Sequence, residues 1–385
     1  MADANEDGLE NDHFETHEED EESLIRYYFY RGFDYKEIVL FLLQNHDIQM
    51  SMATFKRRLR RYGLRRQLPE YDIDEARASI QSLINGPGCL QGYRSVWHTL
   101  QLRGVRIPRI VVQQLLKELD PEGTEMLRKA HRLKRRTGED ITILVRTILG
   151  IVTGTINSSR MDSLFMDVST AGVEKYYAAY YLDAVEEYGG CPVDLVTDLG
   201  TENGTMAAIQ SFLRDDPDSH RYVPSPRNQR IEAWWAFLRR LHSTWWINFF
   251  KDMVDNRVVD LTSELEMECL WFCFSQLLQN ALDEIKEHWN THRIRKSRYD
   301  TVSGRPDSLY YLPELHGVNE RFLLPVGEHE SNYVRSHIIE SDYQNCFQDY
   351  FRYVSGMCHL GQPAHWNEAL DLYNTLLQYA YNENE

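Results

Sequence analysis

The sequence has few cysteines, no long apolar segment and no basic N-terminus. Its histidines and cysteines are dispersed, without the paired spacing of a zinc module or a disulfide framework, which favours a reducing compartment. No run of about 18 apolar residues is present, and the N-terminus lacks the basic and apolar segments of a secretion signal. The sequence therefore predicts no membrane span, no structural zinc and an intracellular protein. The cysteines are Cys89, Cys191, Cys269, Cys273, Cys346 and Cys358.

The net charge is negative, but the acidic residues are unevenly distributed. The chain of 385 residues has a formal net charge of −17, and residues 1–22 hold eleven acidic residues and no Lys or Arg. Acidic runs of this kind are usually solvated, so we expect an acidic, disordered tail over residues 1–22. The remaining length is enough for two or three domains with a buried core.

Residues 23–67 follow a three-helix pattern. Three segments with helical apolar spacing are separated by residues that begin or end helices. Gly32 closes the first segment, Asp34 can cap the second and Ser51 can cap the third. Short helices with tight connections are typical of a helix-turn-helix, which we predict over this range.

The third helical segment carries a basic run. Residues 56–66 read KRRLRRYGLRR and hold seven positive charges. Positive charge on the third helix of such a motif can neutralise nucleic-acid phosphates. A solvated basic face or a nuclear import signal would have the same composition. We predict that nucleic acid is bound by Lys56, Arg57, Arg58, Arg60 and Arg61.

A second helix-turn-helix-like unit is predicted over residues 72–134. DIDEARASIQSLI is followed by two more helical patterns, GPGCLQGYRSVWHTLQLRG and IPRIVVQQLLKELD. Pro108 stands near the start of the last pattern, where proline is well tolerated. Each arginine of this unit could be only a surface residue. Four of them are candidates for nucleic-acid contact: Arg94, Arg103, Arg106 and Arg109.

The stretch of residues 193–241 combines a short strand with a helix. The apolar run 193–197 ends on Asp198, as expected of a buried strand that delivers a carboxylate to the edge of a sheet. Serine and proline at 225–226 then begin a helical pattern that carries Glu232 beside its apolar stripe. Two carboxylates placed in this way can hold divalent metal through their oxygen atoms.

Three segments together resemble the core of DDE integrases and transposases, which has a ribonuclease-H-like fold. They are TDLGTEN at residues 197–203, SPRNQRIEAWW at residues 225–235, and WNTHRIRKSRYDTVSGRPDSLYYLPELHG at residues 289–317. The last segment is similar to the tail of eukaryotic integrase-core proteins. The resemblance extends over roughly residues 22–317.

The resemblance implies a catalytic site and its cofactor. Asp198 and Glu232 occupy the positions of the family's second aspartate and its glutamate, so they are expected to be catalytic residues that bind Mg or Mn. DNA is the expected partner. The N-terminus of the helix that carries Glu232 presents N–H groups and positive potential that could seat a DNA phosphate. Its polar residues are Arg227, Asn228 and Arg230.

One part of the family pattern is missing. The family's first strand carries the first metal-binding aspartate, whereas the strand-like residues 141–151 contain no acid. Asp140, at the entrance of that strand, is a poor substitute because it would be displaced by several residues at about 3.3 Å each. Without the carboxylate that bridges two metal ions, the ions are not positioned to stabilise the attacking and leaving oxygens of phosphoryl transfer. We therefore predict that catalysis is impaired.

The predicted fold is α/β, with a ribonuclease-H-like mixed sheet of five strands flanked by helices, N-terminal helix-turn-helix units and a helical C-terminal region. The helical core segments are expected to pack through their apolar faces, with Cys269 and Cys273 as buried residues. The predicted segments are an acidic disordered tail (1–22), a helix-turn-helix (23–67), a second helix-turn-helix-like unit (72–134), an integrase-like catalytic core (138–298), a linker (299–330) and a helical C-terminal region (331–385).

The favoured function is that of a transposon-derived, integrase-like nucleic-acid-binding protein related to DNA integration or transposition, located in the nucleus. Its expected partners are DNA and a second copy of the chain, with no membrane. Two alternatives stay open. One is an active Mg- or Mn-dependent DDE integrase or transposase that performs DNA strand transfer. The other is a protein-interaction module that uses the core fold without binding nucleic acid.

Overall fold

The chain folds into two compact units in a computed structural model. The first unit comprises Met1–Ser82, Gly92–Ala130 and His288–Asn319, and the second comprises Leu83–Gln91, His131–Glu287 and Glu320–Glu385. The residues that the structure describes are 12–66, 70–124, 170–197, 203–222, 229–296, 303–317, 323–338 and 345–382.

The first unit begins with three helices, α1 (Asp12–Tyr30), α2 (Tyr35–His46) and α3 (Met52–Arg61). The end of α1 and the starts of α2 and α3 lie at residues that the sequence indicated. Gly32 has a φ of +81° after α1, and Asp34 and Ser51 are the N-caps of α2 and α3. The Asp34 backbone N–H donates to Glu37 at 2.6 Å, and the Thr54 backbone N–H donates to Ser51 Oγ at 3.1 Å.

The helices of this part enclose an aromatic core. Tyr28 and Phe33 of the α1 end pack on Phe41 of α2, with Tyr28 stacked on Phe41 at 4.9 Å between ring centroids. Phe55 and Leu59 of α3 are buried in the same cluster. Burial of each such side chain contributes about 1.5–3 kcal/mol.

Part of the predicted acidic tail belongs to the first helix. α1 starts at Asp12, so it includes residues 12–22 of the segment that the sequence predicted to be disordered. Two ion pairs lie at the end of this acidic segment. Glu22 forms an ion pair with Arg26 one turn later, and Glu21 forms one with Arg58 of α3. Residues 1–11 lie outside the described residues.

The first unit also contains most of α4 (Ile73–Ile84), together with α5 (Tyr93–Leu102) and α6 (Arg109–Leu119). Pro108 is the N-cap residue of α6, next to the start that the sequence predicted. Buried residues of α5 and α6, among them Val96, Leu100, Val112 and Leu116, form the contact between these two helices.

The second unit contains the strand and helix pattern of residues 193–241. Its elements are α7 (Thr170–Glu187), β1 (Gly190–Pro192), β2 (Leu195–Thr197), α8 (Gly204–Arg214), β3 (His220–Tyr222) and α9 (Gln229–Leu238). β2 and β3 are parallel, with Thr197 beside Tyr222 at the end of the register. The start predicted for the helix of Glu232, at residues 225–226, lies outside the described residues.

A long helical segment follows. A π-helical turn, Arg239–Ser243, leads into α10 (Thr244–Asp255), and α11 (Glu264–Thr291) is a single helix of 28 residues. Cys269 and Cys273 are fully buried on α11, as predicted for small apolar residues. Trp246 and Phe250 of α10 pack in the same cluster as these cysteines.

Short elements lie within residues 299–330, which the sequence predicted to be a loop-rich linker. This range contains α12 (Pro306–Tyr311) and β4 (Leu323–Pro325). Leu312 is buried in the aromatic core of the first unit, and β4 pairs with β1 in an antiparallel register. Leu312 and β4 therefore contact parts of the chain that are distant in sequence. The glycines and prolines of this range accompany short elements.

The C-terminal region is helical, as predicted. It consists of α13 (Glu328–Ile338), α14 (Cys346–Met357) and α15 (Trp366–Asn382). Asn345 caps α14, since its Oδ1 accepts the backbone N–H groups of Phe347 and Gln348. Tyr373 of α15 is fully buried in the cluster around α10 and α11.

The described residues are mostly helical and contain two small sheets of two strands each, β1 with β4 and β2 with β3. This composition is compatible with an α/β integrase core. The predicted five-stranded mixed sheet is not present among the described residues, and residues 125–169, where its first strands were expected, lie outside them. No helix in the described ranges is long and apolar enough to cross a bilayer.

Candidate nucleic-acid interface and integrase-core site

α3 has one buried face and one basic face. Phe55 and Leu59 face the core, and each is at most 3% exposed. Four cations, Lys56, Arg57, Arg60 and Arg61, are exposed on the same helix. Positions three and four apart are neighbours on a helix surface, so these four side chains form one charged surface. We call it the α3 basic surface.

Arg58 does not belong to this surface. Its Nε lies 2.8 Å from Oε1 of Glu21, and both side chains are largely covered. The Tyr62 hydroxyl donates to the same carboxylate at 3.1 Å. Burial, with the Glu21 charge as a second cause, raises the pKa of Tyr62 to about 12. The structure therefore places Arg58, one of the five predicted nucleic-acid contacts, in an intramolecular pair.

Basic residues at this end of α3 also stabilise the helix. Arg58, Arg60 and Arg61 lie in its last turn, where cations interact favourably with the helix dipole. This effect contributes about 0.3–1 kcal/mol per residue and requires no ligand. It does not account for Lys56 and Arg57, which are nearer the N-terminal end and equally exposed.

The strand that leads to Asp198 is present. β2 ends at Thr197, and the parallel β3 ends at its register partner Tyr222, so both strands finish at the same edge. Ligands of parallel sheets bind at such carboxyl ends. Thr197 Oγ1 lies 2.9 Å from Nε2 of His220, which joins the two strands through their side chains. Asp198 itself lies outside the described residues.

A buried glutamine joins three elements around these strands. Gln210 of α8 is fully buried, and its Nε2 donates to the carbonyls of Pro192 at 2.8 Å and Ser219 at 3.4 Å. Its Oε1 accepts from the Tyr181 hydroxyl of α7. One side chain thus connects α7, the end of β1 and the turn before β3. The sequence analysis missed Gln210 because its partners are brought together only by the fold.

α9 carries the position of Glu232. Trp234 and Leu238 are buried and Trp235 is exposed, so one tryptophan of this pair belongs to the core. The side chains of Glu232 and Arg230 lie outside the described part of the chain, as do Arg227 and Asn228 entirely. The distance between the two predicted metal ligands is therefore not part of the described geometry.

The turn after α9 is π-helical and contains a buried histidine. His242 is 4% exposed, and neither ring nitrogen has a hydrogen-bond partner among the described residues. Burial lowers the pKa of His242 to about 3, so the ring is neutral at pH 7. Single π-helical turns are frequent near functional sites, and this one directly follows the helix of Glu232.

A metal site is expected from the resemblance, with Mg or Mn held by carboxylate oxygens. Within the described ranges, no group of three or more His, Cys, Asp and Glu side chains is arranged to hold a metal ion. Since Asp198 and the Glu232 side chain fall outside those ranges, the donor set that would bind the ion is given by the sequence alone.

The structure also brings together three arginines that the sequence did not group. Arg66, Arg106 and Arg305 line one pocket in the first unit. Arg66 was noted only as the end of a basic run, and Arg305 only as part of SGRPDS in the tail segment. No sequence spacing could have connected them, because they come from three separate parts of the chain.

Comparison with known proteins found a family match in the central part of the chain. A family model described as integrase core domain matches residues 142–316. No curated protein and no solved structure matches the chain. The matched range includes the positions of Asp198 and Glu232 and ends within the tail segment that the sequence analysis identified.

Proposed function

We propose that this protein, in which residues 142–316 match the integrase core domain model, binds nucleic acid and has lost efficient strand-transfer activity. The core domain indicates an integrase- or transposase-like function. The binding of DNA and the loss of catalysis are the parts that we propose.

The α3 basic surface is the observation that carries the proposal of DNA binding. Four exposed cations stand on a helix whose opposite face is packed and whose N-terminus is capped by Ser51. A rigid helix keeps the four charges at fixed spacing, so phosphates of a duplex can be contacted without ordering a loop. Lys56, Arg57, Arg60 and Arg61 are the proposed contacts.

The composition of the first strand supports impaired catalysis. Residues 141–151 contain no Asp or Glu, and all but the first of them lie in the matched domain. Two-metal phosphoryl transfer depends on a carboxylate that bridges both ions, and a ligand displaced by about 1 Å can lower the rate about a hundredfold. Asp198 and Glu232 alone would bind Mg or Mn weakly and would not position a second ion.

An active integrase or transposase is the second candidate. β2 ends directly before Asp198, and α9 includes Glu232, so both positions follow the strand and helix order of the family. This candidate requires a third carboxylate near both residues. It predicts DNA strand joining that depends on Mg or Mn and is abolished by Asp198→Asn.

Two further properties follow from the proposed function. We propose location in the nucleus, because the basic run of residues 56–66 has the composition of a nuclear import signal. DNA integration joins two ends, so we also propose self-association on DNA. Nuclear location of the intact chain, and its loss on replacing residues 56–61, would test the first property.

Binding and strand-transfer assays test the proposal and separate it from the second candidate. Duplex DNA should bind the intact chain with an affinity that falls steeply with salt, and Glu232→Gln should leave this affinity unchanged. No strand joining is expected with Mg or Mn. Salt-insensitive or absent binding contradicts the proposed function, and joining that disappears in Asp198→Asn supports the second candidate.

A further inference from the structure

The first unit contains a pocket of about 210 Å³ with a cationic floor and aromatic walls. One water molecule needs about 15 Å³ by this kind of measure, so the pocket can hold a small organic ion. Its cations are Arg66, Arg106 and Arg305, and its rings are those of Phe29, Tyr30 and Trp97.

Backbone carbonyls and rings fix the three guanidinium groups. Arg66 lies over the Phe29 ring at 4.4 Å and donates to the carbonyls of Phe29 and Phe33. Arg106 lies 5.2 Å from the same ring and donates to the Arg66 carbonyl at 3.3 Å. These contacts hold both charged groups in place before any ligand arrives.

Arg305 reaches the pocket because residue 32 is a glycine. Its Nη2 donates to the Gly32 carbonyl at 2.8 Å, and its Nη1 donates to the carbonyl of Thr291. A Cβ at position 32 would lie 2.7 Å from Arg305 Nη2, and the φ of +81° there also disfavours other residues. Gly32 thus allows the guanidinium to approach the chain closely.

The pocket has excess positive charge. Among the described residues no carboxylate lines it, although Asp34 and Glu37 act on Arg66 and Arg305 from nearby. Burial is the main cause that lowers the pKa of all three arginines, and the Arg66 charge lowers it further at Arg106 and Arg305. Cations held together in this way gain stability from an anion.

The remaining donors suit a phosphate. Each guanidinium has five N–H groups in a planar fork, and the carbonyl contacts use only part of them. Arginine forks match the oxygen geometry of phosphate. Arg106 and Arg305 are half-buried residues, so neither is sealed from solvent. An anion could therefore reach them without unfolding the unit.

The rings of Phe29, Tyr30 and Trp97, here called the aromatic wall, indicate which chemical group the bound phosphate carries. Trp97 is held by a hydrogen bond of 3.0 Å from its Nε1 to the Ile107 carbonyl, so its ring has a fixed orientation. Rings beside a cationic site favour a planar group through stacking, at about 1–3 kcal/mol for a base. Arg109 covers one part of Trp97 at 4.6 Å, which keeps the ring beside positive charge.

We propose that this pocket binds the phosphate of a nucleotide, with its base against the aromatic wall. The nucleotide could be free or could be the 5′-phosphorylated end of a nucleic-acid strand, and both share the same chemistry. Binding of a strand end rests on the proposed function, whereas binding of a free nucleotide does not. None of the α3 basic surface lines the pocket, so the two sites can be tested separately.

Calorimetry on the intact chain tests the pocket with three small probes. The nucleotide dAMP should bind measurably, inorganic phosphate should bind more weakly, and deoxyadenosine should bind at least about tenfold more weakly than dAMP. A lack of dAMP binding at millimolar concentration, or equal binding of deoxyadenosine, overturns the proposal.

Single substitutions test whether the pocket arginines bind dAMP. Arg106→Gln should lower the dAMP affinity at least about tenfold, and Arg106→Lys should restore part of it because the charge remains without the fork. Arg106 is chosen because it donates to one backbone carbonyl, whereas Arg66 and Arg305 each donate to two. Lys117→Gln, at an exposed position of the same unit that does not line the pocket, should change nothing. Unchanged affinity in a folded Arg106→Gln overturns the proposal.

Two oligonucleotides distinguish a free nucleotide from a 5′-phosphorylated strand end as the ligand. A single strand with a 5′-phosphate that binds more tightly than its 5′-hydroxyl counterpart, with the difference abolished in Arg106→Gln, supports the strand end. Equal binding of the two strands, together with Arg106-dependent binding of dAMP, supports the free nucleotide. If salt-dependent duplex binding is absent while dAMP still binds through Arg106, the proposed function fails and the pocket stands.

Discussion

Arg58 of α3 forms an ion pair with Glu21 of α1, with 2.8 Å between Nε and Oε1. The pair joins the acidic N-terminal segment to the helix proposed to contact nucleic acid. It also places a negative charge beside the α3 basic surface, where that charge opposes phosphate binding. Glu21 is therefore expected to weaken DNA binding while it helps to hold α1 on α3.

Glu21→Gln should raise the affinity for duplex DNA at low salt by a few fold. The substitution removes the negative charge next to α3, and the gain should shrink as salt screens it. The measurement is fluorescence anisotropy with a labelled duplex at two salt concentrations. Glu22→Gln is the matched control, because Glu22 is the next residue and pairs with Arg26. An equal effect of both substitutions would show that general charge, and not position, is responsible.

Gln210→Leu should destabilise the second unit by about 2–4 kcal/mol. It leaves the carbonyl of Pro192 and the hydroxyl of Tyr181 buried without their partner, at about 1–3 kcal/mol for each group. Chemical denaturation measures the free energy of unfolding. Gln276→Leu on the exposed side of α11 serves as control. A loss below about 0.5 kcal/mol in Gln210→Leu would mean that the hydrogen bonds contribute little.

The buried His242 should make the stability of the second unit sensitive to acid. Burial lowers its pKa to about 3, while an unfolded histidine titrates near 6.5. The unfolded chain therefore binds a proton first, and the stability present at pH 7 is lost as the pH falls from about 6.5 towards 3. In His242→Leu the free energy of unfolding should fall less steeply as the pH is lowered. The slopes of the wild type and the variant should differ by about 1.4 kcal/mol per pH unit.

Urea denaturation between pH 6.5 and 4.5 measures this slope, and His365→Leu, at an exposed position of the same unit, is the control. Parallel curves for the wild type and His242→Leu would contradict the assignment.

Local features of the fold could be read from the sequence. Gly32, Asp34 and Ser51 act through their own backbone and the next turn, so their roles follow from residue type and spacing. The strand ending at Thr197 was also predictable, because an apolar run broken before a glycine leaves few alternatives.

Long-range contacts could not be predicted in this way. The ion pair between Glu21 and Arg58 joins residues 37 positions apart in sequence, and no local pattern indicates it. The pairing of β4 with β1 and the burial of Leu312 depend on segments far apart in sequence. The Arg66, Arg106 and Arg305 pocket has the same origin, since its members share no spacing. The catalytic pair, Asp198 with Glu232, is still a prediction from the sequence.

The salt dependence of DNA binding tests the central claim most directly. The slope of log K against log salt should be strongly negative for the wild type. Replacing Lys56, Arg57, Arg60 and Arg61 by Gln should make the slope shallower by about 0.9 for each phosphate that the variant no longer neutralises, up to about 3.6. Arg77→Gln, at a half-exposed position of α4, should leave it unchanged. A slope that is the same in the wild type and the quadruple variant would contradict DNA binding by α3.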